Sequence, residues 1–311
     1  MSVAAELKSL GHTISFHCGF SSALARRQGC ARILMYHGVV EQGAQALAAQ
    51  LHFFVRHFKV VSLETMVNHL ADITPNNNEI ALTFDDGLRN NLTVVYPILR
   101  ELQVPATFFV CPELVERKQW LWNHEMRCRL QTLAPAALDE LRSRLLAPGG
   151  SAEKIVEWMK TLALVKRRQT EEAIRQATAV FRPTSAQHAA FDMMNWADLL
   201  SLDSSLITVG SHTMSHPILT TLSTQEIEAE LTESRRLLEQ RLQRKVEFFC
   251  YPNGSYDERA CESAKKTYRA AVTTQTGMVD RQENLDLHRL SRIPSAENAA
   301  LTAWRLHRPE A

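Results

Sequence analysis

From Glu79 to Val110 the chain runs through EIALTF, an Asp-Asp-Gly loop, a helix-length segment from Asn90 to Gln103 broken near Pro97, and VPATFFV. A strand, a crossover helix and a second strand in succession predict parallel pairing with a right-handed crossover. Such folds keep their chemistry in the loops at the C-terminal ends of the strands. Asp85 and Asp86 stand in one of those loops.

The same alternation frames the rest of the chain. ILMYHGVV (33–40) reads as a strand entering a loop, Ala44 to Phe58 repeats apolar residues at helical spacing, and KVVSL is a further short strand. Beyond residue 200, SLITVGSH, VEFFCYP, YRAAVTT and HRLSRIP are strand-like. Helices are expected from Thr224 to about Arg244, opened by a Ser223/Glu226 capping box, and from Asp257 to about Tyr268. Residues 124–190 break the rhythm with three apolar-periodic segments and no strand, which predicts an α-helical insertion. Its run Lys166, Arg167, Arg168 reads as a solvated helix face. The expected organisation is an N-terminal extension over 1–30, either a helix or an adaptable segment, followed by one catalytic domain over 31–311 interrupted at about 124–190.

At 311 residues, length alone admits two domains of about 150 residues or one large domain with an insertion. With 45% hydrophobic and 22% charged residues, dominant disorder is excluded. Lys plus Arg (35) nearly balance Asp plus Glu (34), so no overall field is available to hold a nucleic-acid backbone. Six cysteines, far apart and without CxxC spacing, read as buried thiols of a reducing compartment. The N-terminus lacks a signal-like pattern and no apolar run reaches membrane-span length, so a soluble cytoplasmic location is expected.

Three segments bring polar, metal-competent side chains to predicted strand ends: TFDDG (83–87), SHTMSHP (211–217) and FCYPNG (249–254). His212 and His216, four residues apart, can aim both imidazoles at one point. Two histidines and a carboxylate form a facial set with open positions for water and substrate. The adjacent Asp85 and Asp86 point in different directions, which suggests a division of labour. One binds the metal and the other takes a proton from the water that the cation acidifies. His37 ends the first predicted strand on the same rim, and Trp122 with Asn123 could either form an aromatic platform for a sugar ring or pack into the core at the mouth of the helical insertion.

TFDDG, YPIL with PATFFV, and SHTMSHP, in that order, resemble the NodB-homology polysaccharide deacetylases of carbohydrate esterase family four. The resemblance runs from ILMYHGVV at residue 33 to RLSRIP near 294. It implies a deformed (β/α) barrel with the α-helical insertion. The implied activity removes N-acetyl, or occasionally O-acetyl, groups from sugars with one divalent metal ion, Zn2+ being the first choice. It also implies Asp85 as base, Asp86, His212 and His216 as metal ligands, and a backbone N–H at Asn253 facing the oxyanion. Many members carry Arg-Pro-Pro-Tyr where this chain has Cys250, Tyr251, Pro252 and Asn253, so the arginine that pairs with the base must come from elsewhere. Arg292, or Arg289 beside it, is the expected source, and His288 is the nearest counterpart of the family's late, proton-donating histidine. The Tyr-His pair ending at His37, with Tyr251, is expected to contact substrate.

The implied partner is an acetylated aminosugar of surface polysaccharide or glycolipid biosynthesis, small or lipid-linked. Peripheral membrane contact would run through the basic residues of the insertion; the oligomeric state is left open. Two competing readings are hydrolysis of another amide on the same scaffold and a carbohydrate-binding protein with weak or lost turnover.

Overall fold

The computed structural model describes residues 3–72, 78–279 and 285–310. Among the described residues there are eight strands: β1 (Arg32–Tyr36), β2 (Lys59–Val60), β3 (Glu79–Phe84), β4 (Ala106–Val110), β5 (Ile207–Ser211), β6 (Phe248–Cys250), β7 (Ala270–Thr276) and β8 (Leu290–Pro294). All their pairings are parallel. β1 pairs with both β8 and β3, so seven strands close into a ring in the order β1-β3-β4-β5-β6-β7-β8. The eighth, β2, shares an edge of β3: it takes Glu79 and Ile80, while β4 takes Thr83 and Phe84.

Parallel strands covered on both faces should be apolar throughout, and β3 and β4 are buried at every residue. Alternate side chains fall into two clusters. Ile33, Ala81, Phe109, Phe248, Val272 and Leu290 belong to the cluster inside the barrel. Leu34, Leu82, Phe108, Phe249 and Ile293 pack outward with helical residues such as Leu51, Phe54, Leu99 and Leu231. Gly210 is required by this packing, because a Cβ there would lie 2.5 Å from the ring of its register partner Phe109. His212 shares the inward parity of Gly210 and so enters the mouth of the barrel.

The expected deformed (β/α) barrel is therefore the fold. The helix Thr224–Leu242 carries the predicted Ser223/Glu226 capping box, and Asp257 caps Glu258–Thr267. The extension is helical (Val3–His17 and Phe20–Arg27) and tied to the barrel by the buried Arg32. That guanidinium donates to the carbonyls of Ala25, Cys30 and Leu306, each at 2.6 Å.

The insertion departs from expectation in detail. Between β4 and β5 the chain is helical from Pro112 onward in seven helices, five of them at least partly within 124–190 where three were expected. The segment AEKIVEWMKTLALVKRRQ is not one helix but breaks between Ala152–Met159 and Leu164–Ala177. Trp122, Met126, Leu130, Ile155, Met159 and Ile174 give the insertion its own small core. Arg167 is not on a solvated face: it is 4% exposed, stacks 4.7 Å over the Trp122 ring and pairs with Glu171 at 3.1 Å. Lys166 and Arg168, on either side of it, are exposed. No helix among the described residues is long and apolar enough to cross a membrane.

Candidate active site

The ladder hydrogen bonds continue one residue past the ends of β3 and β5, the two neighbours of β4, and this fixes the site. Asp85 N–H donates to Tyr36 O at 3.0 Å, and His212 N–H donates to Val110 O at 2.9 Å. Beyond Asp85 the backbone turns left-handed at Asp86 (φ 77) and Gly87 (φ 74), which swings the second carboxylate away from the first. Thr213 (φ 66) and His216 (φ 55) are left-handed as well. Conformations this costly in non-glycine residues persist only where their surroundings over-determine them.

The 213–216 loop is held from three sides. The Glu230 carboxylate accepts from Met214 N (2.8 Å), Ser215 N (3.1 Å) and Ser215 Oγ (2.9 Å). Thr213 Oγ1 accepts from His216 N at 3.1 Å. From the insertion, the Trp122 indole N–H donates to His216 O at 3.1 Å.

Asp86 Oδ1 lies 3.5 Å from both His212 Nε2 and His216 Nε2. Four ligands around Zn2+ at about 2.05 Å would stand about 3.3 Å apart, so this donor set has the right size for a tetrahedral divalent ion. The proton arrangement fits too. His212 Nδ1 donates to Cys250 O at 2.7 Å, which aims Nε2 at Asp86; burial works against the charged imidazole, but Cys250 and the Asp86 hydrogen bond hold it well above its ordinary value, and an ion bound here would take the place of the Nε2 proton. Burial, reinforced by the charge of His212, pushes His216 down to about 3, so its imidazole stays neutral as a ligand must. Burial works against the charged form of Asp86, but the His212 hydrogen bond and the field of the surrounding histidines hold its carboxyl well below the usual range. A second grouping, Asp85 with His212 and Cys250, is also close enough to consider. Two of its members are already engaged, because Arg292 donates to both the Asp85 carboxylate and Cys250 Sγ.

Arg292 is fully buried and grips Asp85 with two parallel bonds, Nη1 to Oδ1 at 2.8 Å and Nη2 to Oδ2 at 2.7 Å. Nε donates to Thr273 O, and Nη1 also donates to Thr83 Oγ1. Burial favours a protonated Asp85, but the guanidinium outweighs it and holds the carboxyl below its ordinary range. The two aspartates open into a pocket of about 370 Å³ whose lining includes His37, Asn123, His124, Phe191 and Asn253.

A family profile described as polysaccharide deacetylase matches residues 72–156 and 169–272. The chain belongs to the polysaccharide deacetylase family. YxkH of Bacillus subtilis (strain 168), itself named only provisionally as a polysaccharide deacetylase, is 22% identical over 283 residues, covering 88% of this chain and 75% of YxkH. The fold is similar to that of the Streptococcus pyogenes deacetylase PplD, solved with acetate: TM-score 0.60, 18% identity, 90% of this chain and 99% of that one. It is also similar to IcaB from Ammonifex degensii: TM-score 0.56, 16% identity, 89% and 97%.

Within this deacetylase fold, the structure brings Asp85, Asp86, His212, His216 and Arg292 together, with His37 and Asn253 on the pocket wall. Between the two arginines considered for Asp85, strand parity decides. Arg292 shares the inward face with Leu290, whereas Arg289 reaches Glu258 and Cys261. Three expectations are corrected. His288 precedes β8, at the opposite end of the barrel, where its Nε2 donates to Tyr268 O at 2.9 Å, so it cannot reach a leaving group at Asp85. Tyr251 is 0% exposed, packs on Phe249 and Tyr256 and donates to His288 O at 3.0 Å, so no substrate meets it. Trp122 is buried beneath Arg167 and offers no sugar platform.

Two residues that sequence reasoning missed are His124 and Phe191, stacked at 4.5 Å on the insertion side of the pocket. The signal lay in WNHE: a helix beginning at Trp122 buries Trp122, Met126 and Leu130 and leaves Asn123 and His124 to face the mouth.

Because Trp122 bonds the backbone of a ligand loop, Trp122→Phe should leave the fold intact and weaken divalent-metal affinity about tenfold, the usual scale for supporting residues. Metal titration of the purified variant checks this. An unchanged affinity would make the indole a packing residue only.

Proposed function

We propose that the protein is a metal-dependent carbohydrate N-deacetylase that hydrolyses the acetamide of an acetylated aminosugar. One observation carries this reading: a buried carboxylate clamped by arginine stands directly beside a two-histidine, one-carboxylate set, at the mouth of one pocket. Asp86, His212 and His216 would hold the ion, which when bound polarises the acyl oxygen and acidifies water.

The residues themselves do the rest. Asp85, with lone pairs beyond the two taken by Arg292, removes the proton of the attacking water. Arg292 keeps that carboxylate ionised and fixed in orientation. Asn253, left-handed at φ 55 and part of the pocket wall, would offer its backbone N–H to the developing oxyanion. With His288 at the far end of the barrel, protonated Asp85 is the group that returns the proton to the departing amine. Acetate and the free aminosugar result.

The direct test is acetate release from N-acetylhexosamine glycosides by the Zn2+-loaded protein. Chelation should abolish release and added divalent metal should restore it. His216→Ala should lose most of its bound metal by elemental analysis. A variant that kept full metal content would remove His216 from the ligand set.

A further inference from the structure

We propose that a chamber adjoining the catalytic pocket, walled by Val39, Val40, Ala46 and Leu47, binds an apolar aglycone of the sugar. The preferred substrate is then an alkyl or aryl glycoside or a glycolipid, not a free sugar or a sugar nucleotide. This rests on the deacetylase reading above and extends it to the far side of the substrate.

The chamber holds about 510 Å³, more than the catalytic pocket itself, and the two share His37, Gly38 and Val40. It lies between the loop after β1, the helix Ala44–His57 and the segment after β8. Its position alone selects the occupant, because a group attached to a sugar seated over Asp85 and Asp86 has this space next to it.

The lining fixes the chemistry of that group. The two buried polar side chains in the wall spend their hydrogen bonds on protein. Tyr36 Oη donates to Gln50 Oε1 at 2.7 Å, and Gln50 Nε2 donates to Ala296 O at 2.8 Å. Water there finds few partners and is readily displaced by an apolar group. No lysine or arginine lines the chamber, and Glu297 stands exposed at its rim, so a diphosphate has no counter-charge.

The wall is also fixed before substrate arrives. Val39 N–H donates to Asn90 Oδ1 at 3.2 Å. Gly38 sits so close to the 88–90 segment that a Cβ would fall 2.7 Å from Asn90 Oδ1 and from Leu88 Cδ1. A preformed apolar cavity loses little ordering free energy when it is filled.

The experiment uses the full chain loaded with Zn2+ and compares methyl and octyl β-glycosides of N-acetylhexosamines, below micelle-forming concentrations, with a UDP-N-acetylhexosamine. Calorimetric binding of octyl β-glucoside, which has no acetamide, is measured in parallel. The octyl glycoside should exceed the methyl glycoside in kcat/KM by at least about tenfold, or about 1.4 kcal/mol, through KM. Ala46→Trp, which fills the chamber, should erase that preference and octyl glucoside binding while leaving turnover of the methyl glycoside within about twofold. Ala46→Asp, at the same half-buried position, should do the same and guards against a failure of the bulkier variant to fold.

Equal kcat/KM for methyl and octyl glycosides, a preference for the nucleotide sugar, or octyl glucoside binding that survives both variants would overturn the proposal. If no glycoside releases acetate but octyl glucoside binding depends on Ala46, the chamber stands and the deacetylase reading falls.

Discussion

Asp85→Asn is expected to lower kcat for acetate release by about 10²- to 10⁴-fold while metal content stays at the wild-type level. The amide keeps the shape of the carboxylate but cannot accept the proton of the attacking water. Asp86, His212 and His216 keep their own geometry, so loss of metal would not explain the defect. Elemental analysis beside single-turnover kinetics separates the two carboxylates: Asp86→Asn should lose metal and activity together. Activity within tenfold of wild type in Asp85→Asn would move the base elsewhere in the pocket.

Arg292→Met is expected to destabilise the fold by about 3–5 kcal/mol, the cost of leaving a buried carboxylate without its counter-charge. Asp85→Asn combined with Arg292→Met should recover much of that loss, because no buried charge is then unpaired. Urea unfolding of the single and double variants measures the coupling. The pH dependence has a definite sign. The folded-state Asp85 carboxyl titrates below its ordinary value of 3.8, so the pair contributes fully above that pH and fades as pH falls through the folded-state value. Arg292→Met should lose this component of acid sensitivity. Wild-type stability in Arg292→Met would mean that the guanidinium is not needed to hold the charge.

What could be read in the sequence followed from the physics of each element. β3 was legible to the residue, because a strand buried on both faces must be apolar from end to end and Asp-Asp-Gly must end it. The candidate metal set was legible because His212 and His216 are close in sequence and follow a strand. The Asp85–Arg292 bond spans 207 positions, and only strand parity chooses Arg292 over Arg289. His288 lay near the right residues in sequence but at the wrong end of a parallel barrel, a distinction that requires strand direction. Trp122 stayed open between a sugar platform and core packing because the short helix it begins has a sparse apolar stripe set among Asn, His, Glu and Arg, which hides its inward direction. Arg167 looked solvent-bound for the same reason, since nothing local in the chain announces a tryptophan face 45 positions upstream.

Closure of the ring by its first and last strands has a consequence for the chain as it leaves the ribosome. Every candidate metal ligand has been made by residue 216, yet β8 and its guanidinium arrive only near residue 292. Until then β1 and β7 each present an unpaired edge, and the nascent barrel carries an acidic residue in its interior with no counter-ion. The final strand thus acts as the latch of biosynthesis: one short segment seals the seam and neutralises the interior in the same event.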